Sequence, residues 1–168
     1  MAEIRIVCGR ASTYTDNLGR VWAADNSSSS GQINTTITPI ANTLNQPLFQ
    51  SERYATLPAL SYLISIPNGN YTCNLGFAEI FDGISSSGQR VFNGFIQNNQ
   101  VLFNYDIFAD TGGINRAIVK SFPIIVVDGI ANIRLVSVVE NAKISNIEIV
   151  PVVVNAKYFA APLMLIAC

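Results

Sequence analysis

Between Tyr71 and Phe77 the apolar residues fall on every second position. Tyr71, Cys73, Leu75 and Phe77 point one way, and Thr72, Asn74 and Gly76 point the other. A side-chain period of two belongs to an extended chain with one buried face, and an α-helix cannot satisfy it. The same alternation predicts strands over Ile4–Cys8, Tyr62–Ile66, Arg90–Gln97, Val101–Ile107, Ile118–Val127, Ile130–Val138 and Ile144–Val154. Pro67-Asn68-Gly69-Asn70 reads as a hairpin turn. Asn98-Asn99 and Asp128-Gly129 are further turns, because these residues tolerate positive φ. Pro123 and Pro151 each remove a ladder donor, which assigns their strands to edges or bulges. Helix is confined to a turn or two over Ser51–Leu57. Many short strands with frequent turns predict an all-β fold, an antiparallel β-sandwich or jelly roll.

A chain of 168 residues makes one domain and buries a core without help from metals or disulfides. Only 12% of its residues are charged, about half the usual share. Ten Lys and Arg against eleven Asp and Glu leave a net charge of -1, so there is no basic stripe for a nucleic acid. The sequence has no histidine, which excludes Ser-His-Asp and Cys-His catalysis and His-ligated zinc. No apolar run approaches the length of a membrane-spanning helix. Met1–Arg5 enters the first strand without the pattern of a signal peptide. The expectation is that a signal was trimmed or that the protein leaves its cell another way, such as lysis. Its expected location is extracellular, or on a virion or other surface.

Cys8 and Cys73 lie on apolar strand faces and Cys168 is the last residue. They read as buried thiols, with a Cys8–Cys73 disulfide or an intermolecular bridge through Cys168 as the alternatives. Asn26–Pro47 is a long polar segment without charge or aromatic residues, and a loop of that length is often functional. Residues 1–157 read as the sandwich. The nearly apolar stretch 158–168 (YFAAPLMLIAC) must pack on its own sheet or on a partner subunit.

Acidic residues near loop ends are Asp16, Asp25, Glu52, Glu79, Asp82, Asp106 and Asp110. Nothing in their spacing selects a catalytic pair, and no cofactor or metal motif is present. Trp22, Tyr54, Phe77, Phe81, Phe92, Phe103 and Tyr105 fall in strands or at their ends, where most serve as core. A ring at a strand end beside polar residues is different, because the C–H face of a sugar stacks on it while amides and acids bind the hydroxyls. Tyr54 (after Glu52-Arg53), Phe81 (before Asp82) and Tyr14 (before Thr15-Asp16) fit that description.

The order Cys8-Gly9, Tyr14-Thr15-Asp16, Gly19, Trp22 and Asp25 resembles the opening of malectin and malectin-like domains. The resemblance continues through Gln50–Tyr54, Pro67–Thr72, Phe77–Ile80, Gly88–Phe92, Val101-Leu102, Asp106-Ile107, Asp128-Gly129 and Ala142–Ile149, covering roughly residues 4 to 150. It implies a galactose-binding-like or jelly-roll sandwich whose end loops bind a carbohydrate, a glucose-containing glycan in malectin itself, without catalysis. Carried over residue by residue, it implies a site made of Tyr54, Phe81, Asp82 and Asn155, to which the residue pattern adds Tyr14. This chain departs from the family at Asn93-Gly94, where an Asp and an apolar residue are usual, at the turn Ile96-Gln97-Asn98, and in three places at the site. Asp82 stands where a second ring is usual, Asn155 where an aspartate is usual, and the long loop lacks a tyrosine.

The first functional reading is therefore a non-catalytic carbohydrate-binding module. The alternative is a structural subunit or decoration protein of a virion or surface filament, associating through 158–168. Low charge and the apolar tail motivate it. A glycosidase using Glu79 or Asp82 is a third reading.

Overall fold

The computed structural model describes residues 2–28, 30–55 and 58–153. In chain order the strands are β1 (Ile4–Val7), β2 (Tyr14–Thr15), β3 (Val21–Trp22), β4 (Gln32–Thr35), β5 (Ser51–Tyr54), β6 (Ala59–Ser65) and β7 (Gly69–Ala78). They continue with β8 (Val91–Ile96), β9 (Asn99–Tyr105), β10 (Ala117–Val126), β11 (Ile130–Val139), β12 (Lys143–Ile144) and β13 (Asn146–Pro151), and a short helix α1 (Ile107–Thr111) follows β9. Two four-stranded antiparallel sheets, ordered β1-β13-β7-β10 and β6-β11-β8-β9, make the sandwich. A three-stranded sheet β12-β5-β4 and the pair β2-β3 lie beside it.

The alternation along β7 does what its period requires. Tyr71, Cys73, Leu75 and Phe77 are buried, and they meet Leu60, Tyr62 and Ile64 of β6, Ile133 and Leu135 of β11, and Phe92 of β8 in one core. Phe77, Phe92 and Tyr105 form a three-ring cluster with centroids 5.4 to 5.8 Å apart. Burying each such ring stabilises the fold by about 1.5–3 kcal/mol. Phe103 departs from the core expectation. It is 70% exposed, on the outer face of edge strand β9. A second, smaller core gathers Val7, Trp22, Ile40, Leu48, Phe49 and Ile80.

Several sequence expectations are corrected. The segment Ser51–Leu57 is not helical where it is described. Ser51–Tyr54 is β5, paired on both sides, and those ladder bonds outweigh local propensity. Pro67–Asn70 and Asp128-Gly129 do not close hairpins, because each joins strands of opposite sheets. Both flanking strands have buried apolar faces, so the chain must arch over the sandwich end to set those faces against each other. Asn68 ties the two arches together, donating to the Val127 carbonyl and accepting from the Gly129 amide. The true hairpin, β8-β9, turns one residue earlier than expected, with positive φ at Gln97 and Asn98.

The strand expected to reach Ile107 stops at Tyr105. There Asp106 caps α1 by accepting from the Ala109 amide, and Gly112 closes the helix in the left-handed region. Ile144–Val154 is likewise not one strand, since β12 and β13 belong to different sheets. Pro123 lies on edge strand β10, as expected, and Pro151 ends β13 beyond its last pair with β1.

Cys8 and Cys73 are free, buried thiols and no disulfide joins them. Burial pushes the Cys73 thiol up to about 12, which makes it inert near neutral pH. Cys168 and the segment 158–168 lie outside the described residues.

Candidate functional site

The small sheet creates the site. On β5, Glu52 and Tyr54 share one face and Arg53 takes the other, the same period-two rule that shapes the core. Arg53 turns inward to Asp25 at 2.5 Å, and Asp25 also accepts from the Gly9 amide and the Tyr62 hydroxyl. This hub seats β5 against the sandwich. Gly9 is required there, because its φ is +75° and a side chain would run into the Glu52 backbone.

On the opposite face, Tyr54 and Phe81 line one open cavity of about 210 Å³, together with Ile33, Asn34, Glu52, Arg90, Glu140 and Asn141. Tyr54 is half-buried, and its hydroxyl donates to Gln32 Oε1 at 2.8 Å. Phe81 lies three residues beyond the end of β7 and stays 48% exposed. Its backbone amide donates to Glu79 Oε1, and Gly83 passes so close to the ring that a Cβ there would collide with it. Both rings are therefore positioned while each keeps apolar surface free for a ligand.

Behind the cleft lies a buried chain of alternating charges. Lys143 Nζ lies 2.5 Å from Glu52 and 2.7 Å from Glu79, and Arg90 Nε donates to Glu79 Oε2 at 2.7 Å. Arg90 also donates to the Asn141 carbonyl. Two carboxylates and two cations sum to zero, which is what makes their burial tolerable. Burial pushes the Glu52 carboxyl above its ordinary range, with Lys143 pulling against that shift.

The predicted site residues separate. Tyr54 and Phe81 come together. Asp82 does not join them and lines a neighbouring depression with Ile84, Phe108 and Arg116. Tyr14 also lies apart. Its ring packs with the Trp22 core, and its hydroxyl donates to Asn45 Oδ1 at 3.3 Å. Asn155 lies outside the described residues. Asn34, Glu52, Arg90, Glu140 and Asn141 line the cleft without having been singled out as binding residues. Only Glu52 carried a usable signal, since its spacing of two from Tyr54 puts both on one strand face.

The acids considered for catalysis are mostly engaged in structure. Asp16 and Asp25 are hydrogen-bond hubs, Asp106 caps α1, and Asp110 pairs with Lys120 at 2.8 Å. Glu79 is fully buried, with both oxygens held by Lys143, Arg90 and the Phe81 amide, so it has no access to a substrate.

Two antiparallel sheets with an aromatic-walled cleft at a small side sheet define an all-β sandwich. The chain belongs to the malectin domain family, whose sequence model matches residues 3–155. It is 32% identical over 92 residues to a probable leucine-rich repeat receptor-like serine/threonine-protein kinase of Arabidopsis thaliana, covering 52% of this chain and 9% of that one. A second Arabidopsis thaliana kinase of this kind is 36% identical over 85 residues, covering 48% and 8%. The chain thus spans about a tenth of the length of these relatives.

Among solved structures, the ANXUR2 extracellular domain from Arabidopsis thaliana matches with a TM-score of 0.76 and 19% identity, over 87% of this chain and 47% of that one. A Bacteroides uniformis β-glucuronidase matches with a TM-score of 0.78 and 22% identity, over 90% of this chain and 18% of that one. These likenesses concern the fold. Among the described residues no helix is long and apolar enough to cross a membrane.

Proposed function

We propose that this domain is a non-catalytic, extracellular carbohydrate-binding module whose ligand lies across Tyr54 and Phe81. One observation carries the reading: two rings with free apolar faces share an open cleft with the side-chain amides of Asn34 and Asn141. Rings take the C–H face of a hexose, and amides and carboxylates take its hydroxyls. The family membership and the receptor-like relatives support both the ligand class and the location. A glucose-containing glycan is the proposed ligand. A shallow site of this size holds a single sugar unit with a Kd near 1 mM, about -4 kcal/mol, so useful avidity comes from multivalency.

Isothermal titration with neutral gluco-oligosaccharides tests this. Tyr54→Ala and Phe81→Ala should each weaken binding about tenfold, or about 1.4 kcal/mol. Their melting temperatures should stay close to that of the native protein, since neither ring belongs to the core. Absence of binding by the native domain, or full binding by both variants, overturns the proposal.

One observation favours a second reading, that of a self-associating subunit. Edge strand β10 leaves Val119 and Ile125 exposed, with Val127 exposed just beyond it. Val152, near the end of the described chain, donates to Asn70, whose register partner is Ile125. The proposed occupant of this strip is a second copy of the chain, with 158–168 adding to the contact. Light scattering at tens of micromolar decides it. A dimer or larger species supports the reading, and a monomer of 18.2 kDa rejects it.

A further inference from the structure

We infer that the Tyr54–Phe81 cleft selects neutral and amino-bearing sugars against uronates, and that Glu140 is the side chain that sets this preference. The inference rests on the glycan-binding reading and adds the charge class of the ligand.

Three ionisable side chains other than tyrosine line the cleft: Glu52, Arg90 and Glu140. The first two are already committed. Glu52 is held by Lys143, and Arg90 is held by Glu79 and the Asn141 carbonyl. Arg90 would otherwise be the natural partner of a sugar carboxylate. Here its charge is already matched by Glu79 within the buried cluster, which leaves that cluster without net charge toward the cleft.

Glu140 is different. Its side chain is exposed, Asn141 Nδ2 meets its carboxylate at 3.0 Å, and among the described residues no lysine or arginine pairs with it. The cleft therefore carries one uncompensated negative charge at its wall.

The backbone holds that charge in place. Register slips between Ser137 and Val139 of β11, a bulge that bends the strand. Glu140 then adopts φ +56°, a left-handed conformation that non-glycine residues rarely take. The Ala142 amide closes the turn on the Ser137 hydroxyl at 2.9 Å. Bulge, positive φ and side-chain bond together turn Glu140-Asn141 out of the ladder and onto the cleft wall.

A carboxylate there repels a uronate and attracts a protonated amino sugar. Because the group is solvated, the discrimination should be about fivefold at low ionic strength and should shrink as salt screens it.

The test titrates the full chain at mildly acidic pH with length-matched neutral glucan, glucosamine and galacturonate oligomers. The native protein should bind the galacturonate oligomer about fivefold more weakly than the neutral one, and the glucosamine oligomer at least as well. E140Q should bring the uronate-to-neutral ratio close to one, and high salt should do the same to the native protein. A native ratio already near one overturns the inference and leaves glycan binding intact. A fivefold ratio unmoved by both E140Q and salt does the same. Failure of all three oligomers to bind overturns the glycan reading and this inference together.

Discussion

Lys143→Met is expected to lower the unfolding free energy by about 3–5 kcal/mol at neutral pH. Lys143 is almost wholly buried and, among the described residues, is the one cation paired with both Glu52 and Glu79. Methionine fills nearly the same volume, so the loss is electrostatic. Arg90 still covers Glu79, but Glu52 is left charged, desolvated and without a cation. Burial already raises the Glu52 carboxyl, and removing Lys143 raises it further.

The sign of the pH dependence follows. A carboxyl whose folded value lies above its unfolded one binds its proton more readily in the folded state. Its unfavourable contribution is therefore full at high pH and relieved as the pH falls through the folded value. The gap between native and K143M should narrow between neutral pH and mild acid. The double variant K143M/E52Q should recover much of the loss. Urea melts at several pH values measure all three. A deficit below about 1 kcal/mol at neutral pH would mean that the cluster is not a buried charge network.

The second large effect is expected at Asp16. Its side chain is buried, and its Oδ1 accepts from the backbone amides of Leu18 and Arg20, each at 2.9 Å. Its Oδ2 accepts from Arg20 Nε at 2.7 Å and Trp22 Nε1 at 2.9 Å. Asn cannot replace it, because whichever way the amide is turned, its NH₂ faces donors. Asp16→Asn should therefore cost about 2–4 kcal/mol. Burial alone would raise this carboxyl, but the bonds from Trp22, Arg20 and Leu18 outweigh it and hold the group far below the ordinary range.

A depressed value contributes stability that is complete above the unfolded value of about 3.9 and lost as pH falls below it. Native and D16N stabilities should accordingly converge in strong acid, with the gap between them full above pH ~4. Denaturant melts across that range report it. Parallel curves would show that the carboxylate charge is not what these donors hold.

The period-two faces made the sandwich legible from sequence, because burial of one strand face follows directly from side-chain spacing. The topology was less so. Pro67–Asn70 and Asp128-Gly129 carry hairpin residues, yet whether a turn stays in its sheet or arches across depends on where both flanking apolar faces must go. That is a tertiary condition. Ser51–Tyr54 was hidden for the same reason, since β5 exists only through β4 and β12 on either side of it.

At the site, Tyr54 and Phe81 were legible as rings at strand ends beside polar residues. The same rule led to Tyr14, where a similar local pattern serves the Trp22 core instead. Arg90, Glu140 and Asn141 come to the cleft from the residue before β8 and the turn after β11, far away in sequence. No local spacing could have joined them to Tyr54.

The most direct test of the central claim is an NMR titration of the labelled domain with a neutral gluco-oligosaccharide. The account predicts saturable amide shifts at Ile33, Asn34, Tyr54, Phe81, Glu140 and Asn141, with little change around Tyr14 and Trp22. Shifts centred elsewhere on the sandwich, or none at millimolar sugar, would contradict it.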